Sequence, residues 1–241
     1  MYKLIQKNRL KLNNELGNSL KRKFFSPALL CEYENTLPRI RANATGRLLD
    51  VGCGGMPFKK FIQNSVTEYH GLDIERRTEN VQFLGDIQDM KMIESESYDT
   101  VICLNVLEHI PNPFRATTEI YRVLKKGGKL ILSVPHLARL HEEPHDYYRF
   151  TKYGLNFVLN KAGFEVLEII PNGGLFCFLG HQFSTIFVCF FWHIPVLKNI
   201  VFFLNRYLCT ELCFWFDKVV EKKKNFALGY ICIAKKGLVR I

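Results

Sequence analysis

The feature that most constrains this chain is an apolar run that ends in an acidic residue and continues into a glycine-rich loop. Leu48 to Gly55 reads LLDVGCGG. Glycine has no Cβ and reaches positive φ at little steric cost, so such a loop lets the backbone approach a nucleotide-like ligand. A second acidic strand end, GLDIE (Gly71 to Glu75), places Asp73 23 residues after Asp50. A doubly wound sheet with this spacing puts a ribose-binding carboxylate beside the glycine-rich turn.

From Arg47 onward, strand-like apolar runs alternate with helix-length segments. The predicted strands are 48–51, 69–72, 81–84, 100–104, 129–134, 164–170 and a last one within 227–236. The predicted helices are 58–63, 116–124 and 152–162, the last with Thr151 as N-cap and Gly163 as C-cap. This alternation predicts βαβ units and a mostly parallel sheet.

Composition bounds the class of protein. With 241 residues, 48% of them hydrophobic and 23% charged, the chain is long and apolar enough for one large α/β domain plus an insertion. The eight cysteines are scattered and form no CxxC pair, so the sequence predicts no metal site and no redox motif, only reduced, buried thiols. The N-terminus lacks the apolar run of a secretory signal, and we expect a cytoplasmic protein.

The net charge of +10 is concentrated at the two ends of the chain. Residues 1–25 carry a net +6 and residues 217–241 a net +5, which leaves the 191 residues between them at about −1. Nucleic-acid binding requires a basic face with recognition motifs, and none occurs, so no nucleic-acid partner is predicted. Basic segments beside apolar ones more often meet an anionic membrane surface, although a solvated surface helix is an equal alternative.

Residues 175–216 depart from the alternating pattern. This segment holds ten of the 20 Phe, both Trp and four of the eight Cys, with only three charged residues. Because a final strand follows it, the segment is predicted to be a helical insertion before that strand. We expect it to make peripheral membrane contact on the inner face. A dimer interface, a substrate lid and a transmembrane pair are the alternatives, and the oligomeric state stays open.

The order of the motifs resembles the class I S-adenosylmethionine-dependent methyltransferases, in particular the small-molecule group with a DVGCG signature. Four segments carry the resemblance: LLDVGCGG, GLDIE, GDIQDM (Gly85 to Met90), and YDTVICLNVLEHIPNP followed by VLKKGGKLILSVP. It covers roughly residues 45–170 and 227–236. It implies a Rossmann-like methyltransferase fold, an α/β doubly wound, mostly parallel seven-stranded sheet. A nicotinamide dehydrogenase is disfavoured because its GxGxxG fingerprint is replaced by GCGGMP.

The resemblance implies S-adenosylmethionine as the cofactor and a role for each matching residue. Asp50 would orient the cationic methionine end, Asp73 would accept both ribose hydroxyls, and Asp86 with Ile87 would read the adenine edge. The full predicted set is Asp50, Gly52, Cys53, Gly54, Asp73, Ile74, Asp86, Ile87 and Asn105. The family often has a further glycine two residues after Gly54, where this chain has Met56.

Residues that could bind the methyl acceptor or take its proton follow the fifth predicted strand. Ligands bind at this position in open α/β sheets. His145 is the preferred general base, with Asp146 and His136 as further candidates, because histidine takes a proton near neutral pH. Tyr147, Tyr148 and Arg149 are predicted to bind substrate, Arg149 by holding a phosphate or carboxylate. His109 is expected to be structural. This segment also resembles a subgroup linked to surface-glycan assembly.

The resemblance therefore implies an enzyme that methylates an oxygen of a glycan or lipid-linked intermediate at a membrane surface. The alternatives are C-methylation of a quinone-like lipid and a non-catalytic partner subunit that keeps the cofactor pocket. The predicted organisation is a basic helical segment at 1–44, a methyltransferase domain at 45–174 and 225–241, and an apolar helical insertion at 175–224.

Overall fold

A seven-stranded sheet forms the centre of the fold. The computed structural model describes residues 2–17, 19–221 and 224–237. The strands are β1 (Arg47–Val51), β2 (Glu68–Asp73), β3 (Phe83–Leu84), β4 (Tyr98–Leu104), β5 (Leu124–Pro135), β6 (Phe164–Asn172) and β7 (Gly229–Lys236). Their order across the sheet is β3-β2-β1-β4-β5-β7-β6, and only the β5–β7 pairing is antiparallel among the pairs with a defined register. The predicted doubly wound, mostly parallel sheet is confirmed.

The central strands are apolar along their whole length because both of their faces are buried. Leu48, Leu49 and Val51 of β1 have no exposed surface, and the same holds for Ile102 and Cys103 of β4. Continuous apolar runs are typical of parallel strands covered on both faces. The strands end where the buried apolar runs end. Because β1 to β5 are parallel, the loops that follow them lie at the same edge of the sheet, the carboxyl edge.

The helices are α1 (Tyr2–Leu16), α2 (Pro27–Asn43), α3 (Lys59–Ile62), α4 (Pro113–Val123), α5 (Lys152–Lys161), α6 (Leu175–Phe191), α7 (Pro195–Leu204) and α8 (Leu212–Val219), with 3₁₀ turns at Leu20–Phe24 and Leu107–His109 and a π-helical stretch at Asn205–Glu211. The predicted N-cap of α5, Thr151, is confirmed, whereas the C-cap is Ala162 and the predicted Gly163 is the residue after it. The Gly154 N–H donates to the Thr151 hydroxyl at 3.0 Å, and Gly163 follows the helix at φ +94°.

Several predicted boundaries were wrong. The fifth strand, β5, begins at Leu124, five residues before the predicted start. The structure starts α4 at Pro113, three residues before the predicted start, because the Asn112 side chain caps the helix and proline fits its first turn. The segment predicted as helix 58–63 forms only one short turn, α3. The strand predicted at 81–84 is reduced to β3, which pairs with β2 through two residues.

The chain divides into two compact units. The first contains residues up to Asn35 together with Pro171–Leu228, and the second contains Thr36–Ile170 together with the segment from Gly229 onward. The sheet therefore belongs mainly to the second unit. The first unit joins most of the N-terminal segment with the apolar insertion, which the sequence pattern predicts to be separate parts.

The first unit is built around α6. Leu12 of α1 packs with Val188 and Cys189 of α6 and with Trp192 and Val201 in one buried apolar cluster. The N-terminus of α6 is capped by the side chain of Asp217, whose carboxylate accepts hydrogen bonds from three backbone N–H groups at 2.6 to 3.0 Å. The predicted helical insertion before the last strand is confirmed.

No helix among the described residues has the length and apolarity needed to cross a membrane. The uncharged run from Leu175 to Leu197 is divided, since α6 ends at Phe191 and α7 begins at Pro195. Lys222 and Lys223, in the basic run that follows the apolar segment, fall outside the described residues.

Candidate cofactor and acceptor site

The glycine-rich loop and the second acidic strand end meet at the carboxyl edge of the sheet. Asp73 accepts a hydrogen bond from the Gly54 N–H at 2.8 Å and one from the Glu75 N–H at 3.1 Å. An ionised carboxylate has about four acceptor positions, so two remain for the hydroxyls of a ribose. The loop is held against β2 because the Gly52 and Cys53 N–H groups both donate to the Leu72 carbonyl.

Asp50 is buried at the end of β1, with 5% of its surface exposed. Burial raises the pKa of its carboxyl to about 7, the Tyr69 hydroxyl that donates to it at 2.5 Å opposes this rise, and the nearby Asp73 charge adds to it. The same environment acts on Cys53, where burial and then the two carboxylates raise the pKa of the thiol to about 12. Cys53 is therefore a neutral thiol in the loop and not a nucleophile.

Two glycines of the loop adopt conformations that a side chain would oppose. Gly52 has φ +66°, and a Cβ there would lie 2.3 Å from Val106 Cγ2. Gly54 has φ +48°, and a Cβ there would meet nothing within 4 Å. The open space at Gly54 lies beside the Asp73 carboxylate, which suits a ligand that packs against the backbone. Met56, at the departure from the family pattern, also has positive φ and is buried.

The remaining predicted cofactor residues follow β2, β3 and β4. Ile74 is 70% exposed directly after Asp73, an arrangement in which an aromatic ligand ring would cover its side chain. Asp86 is exposed, Ile87 is buried, and the Asp86 carboxylate accepts the Gln88 N–H at 2.8 Å. Asn105 lies just past β4 at φ +53°, and its N–H donates to the Ser133 carbonyl. The predicted cofactor residues thus lie on the loops after four neighbouring strands.

The segment between β5 and α5 holds the predicted acceptor groups, and it is tied to the turn after β4. The N–H groups of Tyr147 and Tyr148 both donate to the Glu108 carbonyl, and the Tyr148 hydroxyl donates to the Pro111 carbonyl at 2.9 Å. His145 is exposed, with its Nδ1 3.1 Å from the Tyr147 hydroxyl. His145, the predicted general base, is thus accessible from solvent.

His136 is half-buried, and burial lowers the pKa of its ring, which makes the neutral form dominant at neutral pH. Its Nδ1 is buried and makes no hydrogen bond with any of the described residues. The ring lies 5.5 Å from that of Tyr230 on β7. His136 is thus a poorer candidate base than His145 because its side chain is packed against the sheet.

Asp146 is predicted to be a candidate base and Arg149 to bind substrate, but in the structure the two side chains bind each other. The two terminal guanidinium nitrogens of Arg149 each donate to one carboxylate oxygen of Asp146 at 2.6 Å. These hydrogen bonds lower the pKa of Asp146 to about 2. The other Arg149 N–H groups donate to the carbonyls of Ala138, Arg139 and Tyr148. All five guanidinium donors are therefore used within the chain, and a carboxylate with so low a pKa is a poor base.

One cluster in this region was not anticipated from residue spacing. Glu108 has no exposed surface, and its Oε1 lies 3.6 Å from His109 Nε2 and 3.7 Å from His141 Nε2. The Glu108 carboxylate raises the pKa of His141, burial opposes this, and the Asp146 charge supports it. The available signal was an adjacent Glu-His pair just past β4, but its third member comes from another loop.

A doubly wound sheet with a glycine loop, two strand-end carboxylates and open space at Gly54 defines a class I S-adenosylmethionine-dependent methyltransferase, and S-adenosylmethionine is its cofactor. A family model described as a methyltransferase domain matches residues 27–169, more than half of the chain. The chain belongs to this methyltransferase family and is an enzyme of that class.

Several curated relatives share the name ubiquinone biosynthesis O-methyltransferase. The ubiquinone biosynthesis O-methyltransferase of Dechloromonas aromatica (strain RCB) is 32% identical over 140 residues, which cover 53% of this chain and 54% of the relative. That of Xanthomonas oryzae pv. oryzae (strain PXO99A) is 32% identical over 106 residues, covering 37% of this chain and 43% of the relative. The chain spans about half the length, or less, of these relatives.

Solved structures share the fold. A SAM-dependent methyltransferase from Archaeoglobus fulgidus aligns with a TM-score of 0.55 at 19% identity, over 88% of this chain and 95% of that one. The [4+2]-cyclase SpnF aligns with the same TM-score and identity, over 88% of this chain and 80% of that one. At these identities the likeness shows the fold and not the reaction.

Proposed function

We propose that this enzyme methylates an oxygen nucleophile of a lipid-linked acceptor at a membrane surface. The acceptor head is a glycan intermediate or a quinone-like ring. The observation that carries the proposal is the exposed apolar surface of the first unit. This surface suits an acceptor that stays in the membrane while its polar head is methylated.

The exposed apolar residues of α6 recur at helical spacing. Leu179, Phe183, Ile186 and Phe190 are between 39% and 57% exposed, and their spacing places them along one side of the helix. A second stripe runs from α7 into α8 and includes Ile200, Phe203, Leu208, Trp215 and Val219, each more than half exposed. Exposed apolar side chains concentrated on a few helices in this way indicate an interaction site. Helices with such faces lie in the plane of a membrane interface.

Two observations support oxygen as the nucleophile. The relatives named above are O-methyltransferases, and one of them is 32% identical over half of this chain. An exposed histidine, His145, stands after β5, where it could take the proton that a hydroxyl loses during transfer. The name of the relatives also supports a quinone-like ring as one form of the acceptor head.

In this proposal, the cofactor contacts Asp50, Gly52, Cys53, Gly54, Asp73, Ile74, Asp86, Ile87 and Asn105. The chain supplies proximity and alignment, since the sulfonium methyl of the cofactor is already activated. Tyr147 and Tyr148, which are 46% and 36% exposed, line the acceptor side next to His145.

The division of roles predicts different defects in two variants. Asp73→Ala removes the carboxylate for the ribose and is expected to weaken S-adenosylhomocysteine binding by about 100-fold or more, since charged hydrogen bonds are worth about 1.5 to 3 kcal/mol each. His145→Ala is expected to keep that affinity and to slow methyl transfer by about 10²- to 10⁴-fold. Calorimetry and an assay with isotopically labelled S-adenosylmethionine and membrane lipid extract measure the two effects. Equal loss of cofactor affinity in both variants would contradict the assignment of Asp73 to cofactor binding and of His145 to proton transfer.

The same assay tests the acceptor. The labelled product is extracted into organic solvent and treated with mild acid, which releases a phosphate-linked glycan but leaves a quinone-like ring attached to its tail. Label in the aqueous fraction supports a glycan head, and label that stays with the lipid supports a ring. A methyl group bound to ring carbon contradicts O-methylation, and a labelled product without any lipid contradicts the membrane setting.

Membrane contact is tested by flotation with vesicles that contain anionic phospholipid. The wild-type protein is expected to float, and Phe183→Ser with Phe203→Ser is expected to reduce the floated fraction several-fold, because each buried aromatic contributes about 1.5 to 3 kcal/mol. Tyr153→Ser with Phe157→Ser is the matched control, since these residues of α5 are 75% and 54% exposed in the second unit. Equal loss in both double variants, or no flotation of the wild type, contradicts the proposal.

A further inference from the structure

The strongest unassigned site in the described residues is the cluster of Glu108, His109 and His141. The ligand atoms of the three side chains lie within 4.8 Å of one another. Two atoms bound about 2.1 Å from one tetrahedral metal ion are about 3.4 Å apart, close to the 3.6 and 3.7 Å that separate Glu108 Oε1 from the two Nε2 atoms. The spacing of the cluster therefore fits a shared metal ion.

The hydrogen bonds of the two rings orient their nitrogens for this role. His109 Nδ1 lies 2.6 Å from the carbonyl oxygen of His145, and His141 Nδ1 lies 3.3 Å from that of Arg139. A carbonyl oxygen only accepts, so His109 Nδ1 carries the hydrogen. His141 Nδ1 also lies 3.5 Å from the Asp146 carboxylate and 3.4 Å from Arg149 Nη2, and its two acceptors favour a hydrogen there as well. In its neutral form each ring then presents the Nε2 lone pair to Glu108. Donation from Nδ1 to a carbonyl is the usual support for a histidine that binds metal through Nε2.

Glu108 is the second observation that points to a ligand. Its side chain has no exposed surface, and neither carboxylate oxygen has a hydrogen-bond partner among the described residues. A buried carboxylate without hydrogen bonds is strongly disfavoured unless a cation compensates its charge. The two imidazole Nε2 atoms lie 3.6 and 3.7 Å from Glu108 Oε1, which is too far for a hydrogen bond.

We propose that Glu108, His109 and His141 bind a divalent transition-metal ion. Two imidazoles and one carboxylate suit zinc, iron(II) and related ions and not magnesium or calcium, which prefer oxygen ligands. Three protein ligands leave at least one coordination position for an outside oxygen. The His side chains are 16% and 27% exposed, so such an oxygen can reach the ion from solvent.

The open position gives the site a role that rests on the proposed function. Glu108 follows Asn105 by three residues, at the edge of the sheet where the cofactor loops lie. An acceptor hydroxyl bound to the ion would have a lowered pKa. Its proton would pass to solvent or to His145. The oxygen would then form a bond to the methyl carbon while the bond from that carbon to the sulfonium sulfur breaks, with S-adenosylhomocysteine as the leaving group.

Metal binding is measured first, with chelator-treated, tag-free protein and Zn²⁺ as the probe. The wild type is expected to bind one Zn²⁺ and to unfold at a higher temperature when Zn²⁺ is present. Glu108→Gln and His141→Ala are expected to weaken binding by at least about 100-fold, since even the loss of a supporting group costs 10- to 100-fold. Glu142→Gln is the matched control, because Glu142 is exposed and adjacent to His141.

The stability of the metal-free protein distinguishes a metal site from a simple ion pair between Glu108 and the two histidines. If Glu108 is a metal ligand, Glu108→Gln leaves the apo protein as stable as the wild type or more stable, because it removes an uncompensated charge. A lower unfolding temperature of apo Glu108→Gln, with no Zn²⁺-induced shift in the wild type, would overturn the proposal. Equal Zn²⁺ affinity in the wild type and in Glu108→Gln would also overturn it.

The role at the acceptor has its own readout. Removal of the metal from the wild type is expected to move the pH profile of methyl transfer to higher pH, and Zn²⁺ is expected to restore it. An unchanged profile, together with Glu108-dependent Zn²⁺ binding, would overturn this role and leave a structural metal site. Failure of the proposed function is seen separately, as a labelled product that is not an O-methylated lipid.

Discussion

At the scale of single residues, Asp50 shows how the site departs from what stability alone would favour. Its carboxyl is buried, accepts one hydrogen bond from Tyr69 and has a pKa raised to about 7. A buried acid of this kind disfavours folding wherever it must ionise. Active sites retain such groups because the ligand compensates them.

This environment predicts a pH-dependent effect of Asp50→Asn. Between about pH 4 and pH 7 the folded protein holds a proton on Asp50 that the unfolded chain has lost, so stability contributed by this group falls as pH rises through that window. We expect the free energy of unfolding of Asp50→Asn, relative to wild type, to rise by up to about 4 kcal/mol from pH 4 to pH 7. Urea unfolding at several pH values measures it. A difference that stays constant with pH would show that the carboxyl ionises normally.

At the scale of secondary-structure elements, helix termini in the two units are capped differently. The N-terminus of α5 has a local cap, the Thr151 hydroxyl. The N-terminus of α6 is capped by Asp217, a residue of α8 that is 1% exposed and more than forty positions away. A charged, buried cap satisfies several orphan N–H groups and also interacts favourably with the helix dipole.

The two caps predict unequal losses of stability. Asp217→Ala is expected to lower the free energy of unfolding by about 3 kcal/mol, because it leaves the N–H groups of Gly174, Phe176 and Cys177 without an acceptor. Thr151→Ala removes one exposed cap and is expected to cost about 1 kcal/mol. Urea unfolding followed by circular dichroism measures both, and Asp217→Asn should lie between them. Equal losses for the two alanine variants would argue against the buried cap.

At the scale of the whole molecule, burial decides the chemistry of the thiols. Seven of the eight cysteines are buried, and Cys213 is partly exposed. The hydrogen bond from Cys213 lowers the pKa of Cys209 to about 6, yet the Cys209 side chain is only 8% exposed. Reactivity requires access as well as a thiolate, so a low pKa alone does not make Cys209 reactive.

Thiol labelling tests this distribution. At pH 8 we expect slow labelling of the native protein, because seven thiols are buried and the hydrogen bond with Cys209 raises the pKa of the partly exposed Cys213. All eight thiols are expected to react quickly after denaturation. Fast labelling of several thiols in the native protein, counted by mass spectrometry, would contradict the packing described here.

The sequence by itself determined the sheet, the helical insertion and the cofactor class. Their signals lie in contiguous residues: the apolar run of β1, the glycine loop, the acidic end of β2 and the Thr151 cap. Each depends on local backbone chemistry and on burial of a whole strand, which a residue pattern records directly. Boundaries such as the start of α4 were less predictable, because Asn112 and Pro113 fix it and not the apolar pattern.

Only the tertiary structure decided which polar side chains remain available to bind a ligand. Arg149 reads as a substrate anchor in the sequence, but its donors are used by Asp146 and by backbone carbonyls. Glu108 and His141 are 33 residues apart in the sequence and lie 3.7 Å apart in the fold. Spacing along the chain does not indicate these side-chain contacts, because they depend on how two loops pack at the same edge of the sheet.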